Sequence, residues 1–190
     1  MAKFCPECGT ATEKRIVSGP ERDACPACGF VQFSKAKIGV GALVFRNGRV
    51  LLVERNLPPY GIWTLPSGHQ EENETLETAV IREALEETGM GILPQGIVFL
   101  RNMMEHGFID LYCVFLCESD PGEMPVVGDD ESTAARFVSI SDFDKINIEP
   151  DSRWFVESYL KQQPDRMVKL ANPFTHPNLQ IYANEGMHPS

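Results

Sequence analysis

Residues 68–90 read GHQEENETLETAVIREALEETGM. The stretch carries seven glutamates inside a pattern that predicts one helix, with Asn73 or Thr75 as N-cap and Gly89 as the stop. A step of about 100° per residue puts Glu83 and Glu87 roughly 40° apart on one face, with Glu86 about 60° from Glu83. Leu76 and Val80 point the same way, at the edge of an apolar stripe continued by Ile81, Ala84 and Leu85. Carboxylates therefore stand beside residues that should be buried, where like charges repel and desolvation makes each worse. A solvated charged face does not account for that placement. Hard divalent cations do, because magnesium or manganese takes oxygen ligands, keeps several waters and bridges to phosphates. Arg82 can hold one of these carboxylates through a forked hydrogen bond.

On either side of this helix the chain reads as strands. Ile38–Phe45 and Val50–Val53 flank Asn47-Gly48, a strong hairpin signal. Residues 56–67 (NLPPYGIWTLPS) read as a loop, and further strands are expected at Gly96–Arg101, Ile109–Cys117 and Ala135–Ile140. The acidic segment ESDPGEMPVVGDDE between the last two has the length of a loop that carries function or is disordered. A second helix is expected over Ser152–Gln162, with Trp154, Phe155, Tyr159 and Leu160 in the core. The tail from Pro164 has no pattern.

Cys5-Pro-Glu-Cys8-Gly and Cys25-Pro-Ala-Cys28-Gly repeat one knuckle at the spacing of a tetrahedral zinc site. Four thiolates complete the coordination of Zn2+, so this site is structural rather than catalytic. Disulfides fit less well in a reducing compartment. Cys113 and Cys117 lie in an apolar strand and read as core filling.

The 190 residues suit one ordinary domain with a small appendage. A net charge of −10 argues against a nucleic-acid or anionic-membrane surface, yet allows an anionic substrate bridged by divalent ions. No run reaches the length of a membrane span, and MAKFCPECG lacks a signal-peptide core, which makes the cytoplasm the expected address.

Gly68, Glu74 and Arg82-Glu83-Ala84-Leu85-Glu86-Glu87-Thr88-Gly89-Met90 stand at the fixed spacings of the Nudix box, and the preceding Trp63-Thr64-Leu65-Pro66-Ser67 resembles that family's lead-in. The resemblance implies an α/β/α sandwich around a mixed sheet. The organisation it implies is a zinc ribbon over residues 1–34, a Nudix domain over 35–163 and a tail over 164–190. It also implies Mg2+- or Mn2+-dependent hydrolysis of a nucleoside diphosphate linked to another moiety. Glu83, Glu86 and Glu87, with the carbonyl of Gly68, would bind the ions. Arg82 would orient the carboxylates, and Glu74 would be structural. Glu131, ahead of the strand Ala135–Val138, is the first choice of general base, with Glu86 or Glu87 as alternatives. Asp129 and Asp130 are equally well read as solvated loop charges, and His69 and His106 as structural or exposed.

A zinc ribbon before a Nudix domain resembles two groups. NADH diphosphatases carry a further S-Q-P-W-P-F-P-x-S motif that is missing from MGILPQGIVFLRNMMEHGFIDLYC, which weakens the NADH and RNA-decapping alternatives. Short ADP-ribose or FAD diphosphatases are similar at Lys37–Val44 and Arg55–Gly68. Tyr60, Trp63, Phe108 and Tyr112 are candidates for stacking on a flat substrate ring, although aromatic residues are more often core than platform. A nucleoside triphosphate substrate stays open, as does a non-catalytic Nudix ligand sensor, but a sensor commonly loses box carboxylates that are all present here. The family often dimerises, so a homodimer is the expected assembly.

Overall fold

The computed structural model describes residues 3–33, 35–105, 108–128, 130–169 and 182–184. The chain forms two compact units, residues 1–36 with 104–109, and residues 37–103 with 110–190. Among the described residues no helix is long and apolar enough to cross a membrane.

In the first unit, strands β1 (Glu13–Ile16) and β2 (Glu21–Ala24) pair antiparallel. Each cysteine pair forms a tight knuckle. The Gly9 N–H donates to the Cys5 carbonyl at 2.9 Å, and the Gly29 N–H to the Cys25 carbonyl at 3.2 Å. The four sulfurs lie within 4.8 Å of one another, with Cys5 Sγ 3.5 Å from Cys28 Sγ and Cys8 Sγ 3.5 Å from Cys25 Sγ. A tetrahedral zinc ion with Zn–S bonds of about 2.3 Å needs sulfur separations of about 3.8 Å, so the set fits that ion. The Thr10 hydroxyl, 3.4 Å from Cys8 Sγ, holds that thiol down at about 6, which favours the ligating thiolate.

The second unit is built on a sheet with strand order β11-β10-β7-β8-β3-β4-β5, in which β6 also pairs with β3 and β9 with β4. The strands are β3 (Lys35–Arg46), β4 (Arg49–Arg55), β5 (Trp63–Thr64), β6 (Ser67–His69), β7 (Ile92–Glu105), β8 (Phe108–Ser119), β9 (Ser132–Ser139), β10 (Met167–Lys169) and β11 (Tyr182–Asn184). A parallel bridge between Trp63 and Ile148 makes the pairing mixed. Asn47 and Gly48, both at positive φ, form the β3–β4 turn that the Asn-Gly signal predicts.

Val50, Leu51, Leu52 and Val53 are all fully buried, so β4 is covered on both faces. Alternation along the strand sorts them between two layers. Leu51 joins Val40, Ala42 and Val44 against Ala79, Val80 and Ala84 of helix α1 (Leu76–Thr88). Val50 and Leu52 join Leu43 against Phe155 and Val156 of helix α2 (Pro150–Gln162). Each buried Val or Leu contributes about 1.5–3 kcal/mol, which fixes both helices on the sheet. This is the α/β/α sandwich expected above.

The structure corrects several details. The loop over 56–67 contains β5 and the start of β6. The tail from Pro164 is not without structure: β10 pairs with β7 at Met167 and Ile97, and β11 pairs with β10. Strands of three residues held by backbone hydrogen bonds leave too little side-chain alternation to be read from sequence. Trp154 and Leu160 are exposed, while Phe155 and Val156 of α2 are buried. Leu85 is likewise exposed rather than part of the α1 stripe.

The ribbon geometry predicts one zinc ion per chain in protein purified without chelator, measured by atomic absorption. Cys25→Ser should lower the zinc content to well below one equivalent.

Candidate active site

The β6–α1 segment positions the acidic cluster. Of the two predicted N-caps, Thr75 is the one used: its hydroxyl accepts from the Thr78 N–H while Thr78 Oγ1 accepts from the Thr75 N–H. Gly89 closes the helix in the left-handed region at φ 66°, and its N–H donates to the Leu85 carbonyl. Thr88 and Met90 are fully buried, which locks the last turn and its glutamates in place.

Arg82 is the hub of the cluster. Its Nε and Nη2 grip both oxygens of Glu74 at 3.1 and 2.7 Å, and Nη2 also donates to the His69 carbonyl at 2.9 Å. Nη1 reaches Glu83 and Glu86, each at 2.9 Å. Glu74 is completed by the Glu71 N–H at 2.6 Å, so it braces the loop ahead of the helix. The Glu87 carboxylate accepts from the Ser67 N–H at 2.8 Å, which ties the helix to β6.

Gly68 faces the Glu83 carboxylate so closely that a Cβ there would lie 2.1 Å from its carbon. Any side chain at 68 would displace Glu83. Burial raises the Glu83 pKa above the usual carboxylate range despite the Arg82 contact. The Arg82 hydrogen bonds hold Glu74 below that range, and those to Glu74 raise Arg82 in turn. The structure therefore sets a carboxylate whose pKa burial raises next to one whose pKa the Arg82 hydrogen bonds lower.

Two adjoining cavities of about 680 and 370 Å3 share Ser67, Gly68, His69 and Glu131. Glu83, Glu86 and Arg82 line the larger, and Glu87, Tyr112, Arg55 and Arg101 the smaller. Glu131 thus faces the same cleft as the helix glutamates, although it follows them by more than forty residues of chain. The acidic loop that delivers it is tied at both ends. Arg46 donates to the Asp120 and Glu123 carbonyls and to Ser119 Oγ. At the far end, the Asn56 N–H and side-chain amide donate to the carbonyls of Glu131 and Asp130, at 2.6 and 2.9 Å.

The aromatic candidates separate. Tyr112 lines the smaller cavity, packed so tightly over Gly41 that a Cβ there would meet its hydroxyl at 2.0 Å. Tyr60 is exposed on its loop, and Trp63 is buried beneath the Arg136 guanidinium, 4.4 Å from the ring centroid; neither lines these two cavities. A two-residue strand inside the Pro-rich segment turns Trp63 into the core, which loop composition concealed. Phe108 opens β8, and its side chain lies outside the described residues, as do His106 and Asp129. His69 presents its carbonyl to Arg82.

Sequence reasoning passed over Arg55. Its side chain lines the smaller cavity, its Nε is buried without an acceptor, and it forms no ion pair among the described residues. An arginine at the end of an apolar strand carries no signal of where it points.

A zinc-ribbon module over residues 3–34 and a NUDIX domain over residues 35–159 both match their family models. The chain belongs to the Nudix family and carries the family's N-terminal zinc-ribbon module ahead of its NUDIX domain. It is similar to a NUDIX hydrolase from Nitrosomonas europaea, with TM-score 0.71 and 28% identity over 85% of this chain and 92% of that one. It is also similar to a MutT NUDIX hydrolase from Burkholderia pseudomallei, with TM-score 0.57 and 28% identity over 65% of this chain and 97% of that one. Phosphatase NudJ of Escherichia coli strain K12 is 38% identical over 64 residues, which are 34% of this chain and 42% of that protein. The chain thus spans less than half the length of the curated relatives it matches.

The opposed shifts of Glu83 and Glu74 predict opposed effects on stability. A raised Glu83 means that the folded protein binds this proton more tightly than the unfolded chain, so its contribution to stability falls as pH rises through the carboxylate range. The lowered Glu74 contributes stability above that range, and the contribution is lost as pH falls through it. In magnesium-free buffer at neutral pH, Glu83→Gln should melt above wild type and Glu74→Gln below it, each by about 1 kcal/mol. Thermal unfolding followed by circular dichroism checks both signs.

Proposed function

We propose that the protein hydrolyses the diphosphate linkage of a nucleoside diphosphate joined to another moiety, ADP-ribose or FAD, and releases AMP. In this reading Glu83, Glu86, Glu87 and the Gly68 carbonyl hold magnesium or manganese. The bound ions neutralise the diphosphate, polarise phosphorus and lower the pKa of a water. An all-oxygen donor set suits such hard ions. Among the described residues these carboxylates do not converge within 4.8 Å as the four sulfurs do. An ion that keeps its own waters needs no tighter set.

The chain's other residues complete the chemistry. Arg82 positions Glu83 and Glu86 and keeps the helix face from opening. Glu131, brought to the same cleft by its anchored loop, acts as general base and accepts a proton from the attacking water. Arg55 receives phosphate oxygens with its outward N–H groups. The observation that carries the reading is this pairing: box carboxylates and a guanidinium that forms no ion pair among the described residues, on the walls of one cleft. The ribbon's reduced cysteines suit a cytoplasmic address.

AMP release measured across FAD, ADP-ribose, NADH and nucleoside triphosphates, with magnesium or manganese, tests activity and substrate together. Absence of metal-dependent turnover on all of them would overturn the reading. Glu87→Gln should abolish turnover with an unchanged circular dichroism spectrum. Arg55→Ala should raise KM about tenfold or more with a smaller change in kcat, and Arg55→Lys should recover part of the loss.

A further inference from the structure

We infer that the groove formed by Phe99, Leu100, Trp154 and Phe155 is the subsite for a planar aromatic ring of the substrate, with Trp154 as its platform. The inference rests on the active-site reading above and adds to it the residue that recognises a ring.

Trp154 is the fifth residue of α2 and is 58% exposed, whereas its neighbour Phe155 is 4% exposed. An indole left in water forgoes the burial that large aromatic side chains normally obtain. Trp154 is nevertheless held in place: its ring lies edge-on to Phe99 and Phe155, with centroids 5.5 and 5.6 Å apart. A platform already fixed in orientation loses little conformational freedom when a ring stacks on it.

The surrounding groove measures about 310 Å3 and is lined mainly by apolar atoms, with Arg101 and Asp151 as its only charged residues. The same two residues stand in the wall of the smaller catalytic cavity, beside Tyr112 and with Glu87 and Arg55 in the same lining. The groove therefore adjoins the cleft across the Arg101–Asp151 pair. Arg101 donates to Asp110 at 3.0 Å and to Asp151, and its guanidinium lies 5.2 Å from the Tyr112 ring centroid. These charges are thus satisfied by one another, and the groove beyond them offers apolar contact and an aromatic face. Diphosphate and sugar, which are anionic and hydroxylated, match the polar cavity. A flat, uncharged ring matches the groove. Either the adenine or a ring of the attached moiety supplies that chemistry.

The test compares kcat/KM for FAD, which has two ring systems, and ADP-ribose, which has one, in wild type, Trp154→Ala and Trp154→Phe. Stacking of one ring on an aromatic side chain corresponds to about a five- to 150-fold effect. Trp154→Ala should lose at least fivefold through KM, and Trp154→Phe should recover most of it. A loss on both substrates assigns the groove to adenine, and a loss confined to FAD assigns it to the second ring. Unchanged kinetics on both, or a loss that phenylalanine does not recover, overturns the proposal. If wild type cleaves neither substrate, the active-site reading fails and binding decides the groove separately. Titrations of AMP, FMN and ribose 5-phosphate should then show weaker binding in Trp154→Ala for AMP or FMN alone. Equal affinities in both proteins, or no ring binding by wild type, overturn it.

Discussion

The contact on which the rest of the site depends is the Glu83 carboxylate lying against Gly68, with Arg82 on its other side. Burial opposes its ionisation, while Arg82 and the missing side chain at 68 keep the group in place. Arg82 serves three carboxylates and one carbonyl at once, so the loop ahead of α1 and the charged turn of α1 are a single hydrogen-bonded unit. Natural proteins tolerate such local frustration where chemistry needs it, with the surrounding core supplying the stability. Here that core is α1 packed on β3 and β4 through Ala79, Val80 and Ala84.

In the proposed reading an acidic chain acts on an anion, which poses an electrostatic problem. The cleft answers it with a donor set suited to divalent cations and with Arg55, whose position forgoes any protein carboxylate among the described residues. Arg101 illustrates the opposite arrangement, since it is engaged by Asp110 and Asp151 and so contributes structure more than free positive charge. The ribbon solves a separate problem. Its four-residue strands bury little, and its four clustered sulfurs are placed where a zinc ion would give a small unit the cross-link that a larger core would make unnecessary.

Much of this was legible in the residues because it rests on short-range rules. The capped helix, the Asn-Gly hairpin and the paired knuckles each depend on neighbours within a few positions. The buried run of β4 was visible as a run, but its division between an α1 layer and an α2 layer was not, because alternation says that faces differ and not what covers them. Trp154 and Phe155 show the same limit: two adjacent aromatic residues on a helix have nearly equal hydrophobicity, and only the position of the sheet leaves one exposed and the other buried. Core and platform both stayed open for Trp63 because a two-residue strand carries no periodicity.

By itself the sequence determined the order of the long strands and of the two helices, the four-thiolate ribbon and a helix whose glutamates face its packed edge, since all of these follow from local geometry and charge. Tertiary structure alone decided that Glu131 lines the same cleft as those glutamates, that Arg55 lines it without an ion pair among the described residues, and that Gly68 lies against Glu83. The physical reason is that these residues come from separate strands and loops. Their meeting is set by strand register and by the Arg46 and Asn56 tethers of one loop, which no spacing along the chain encodes.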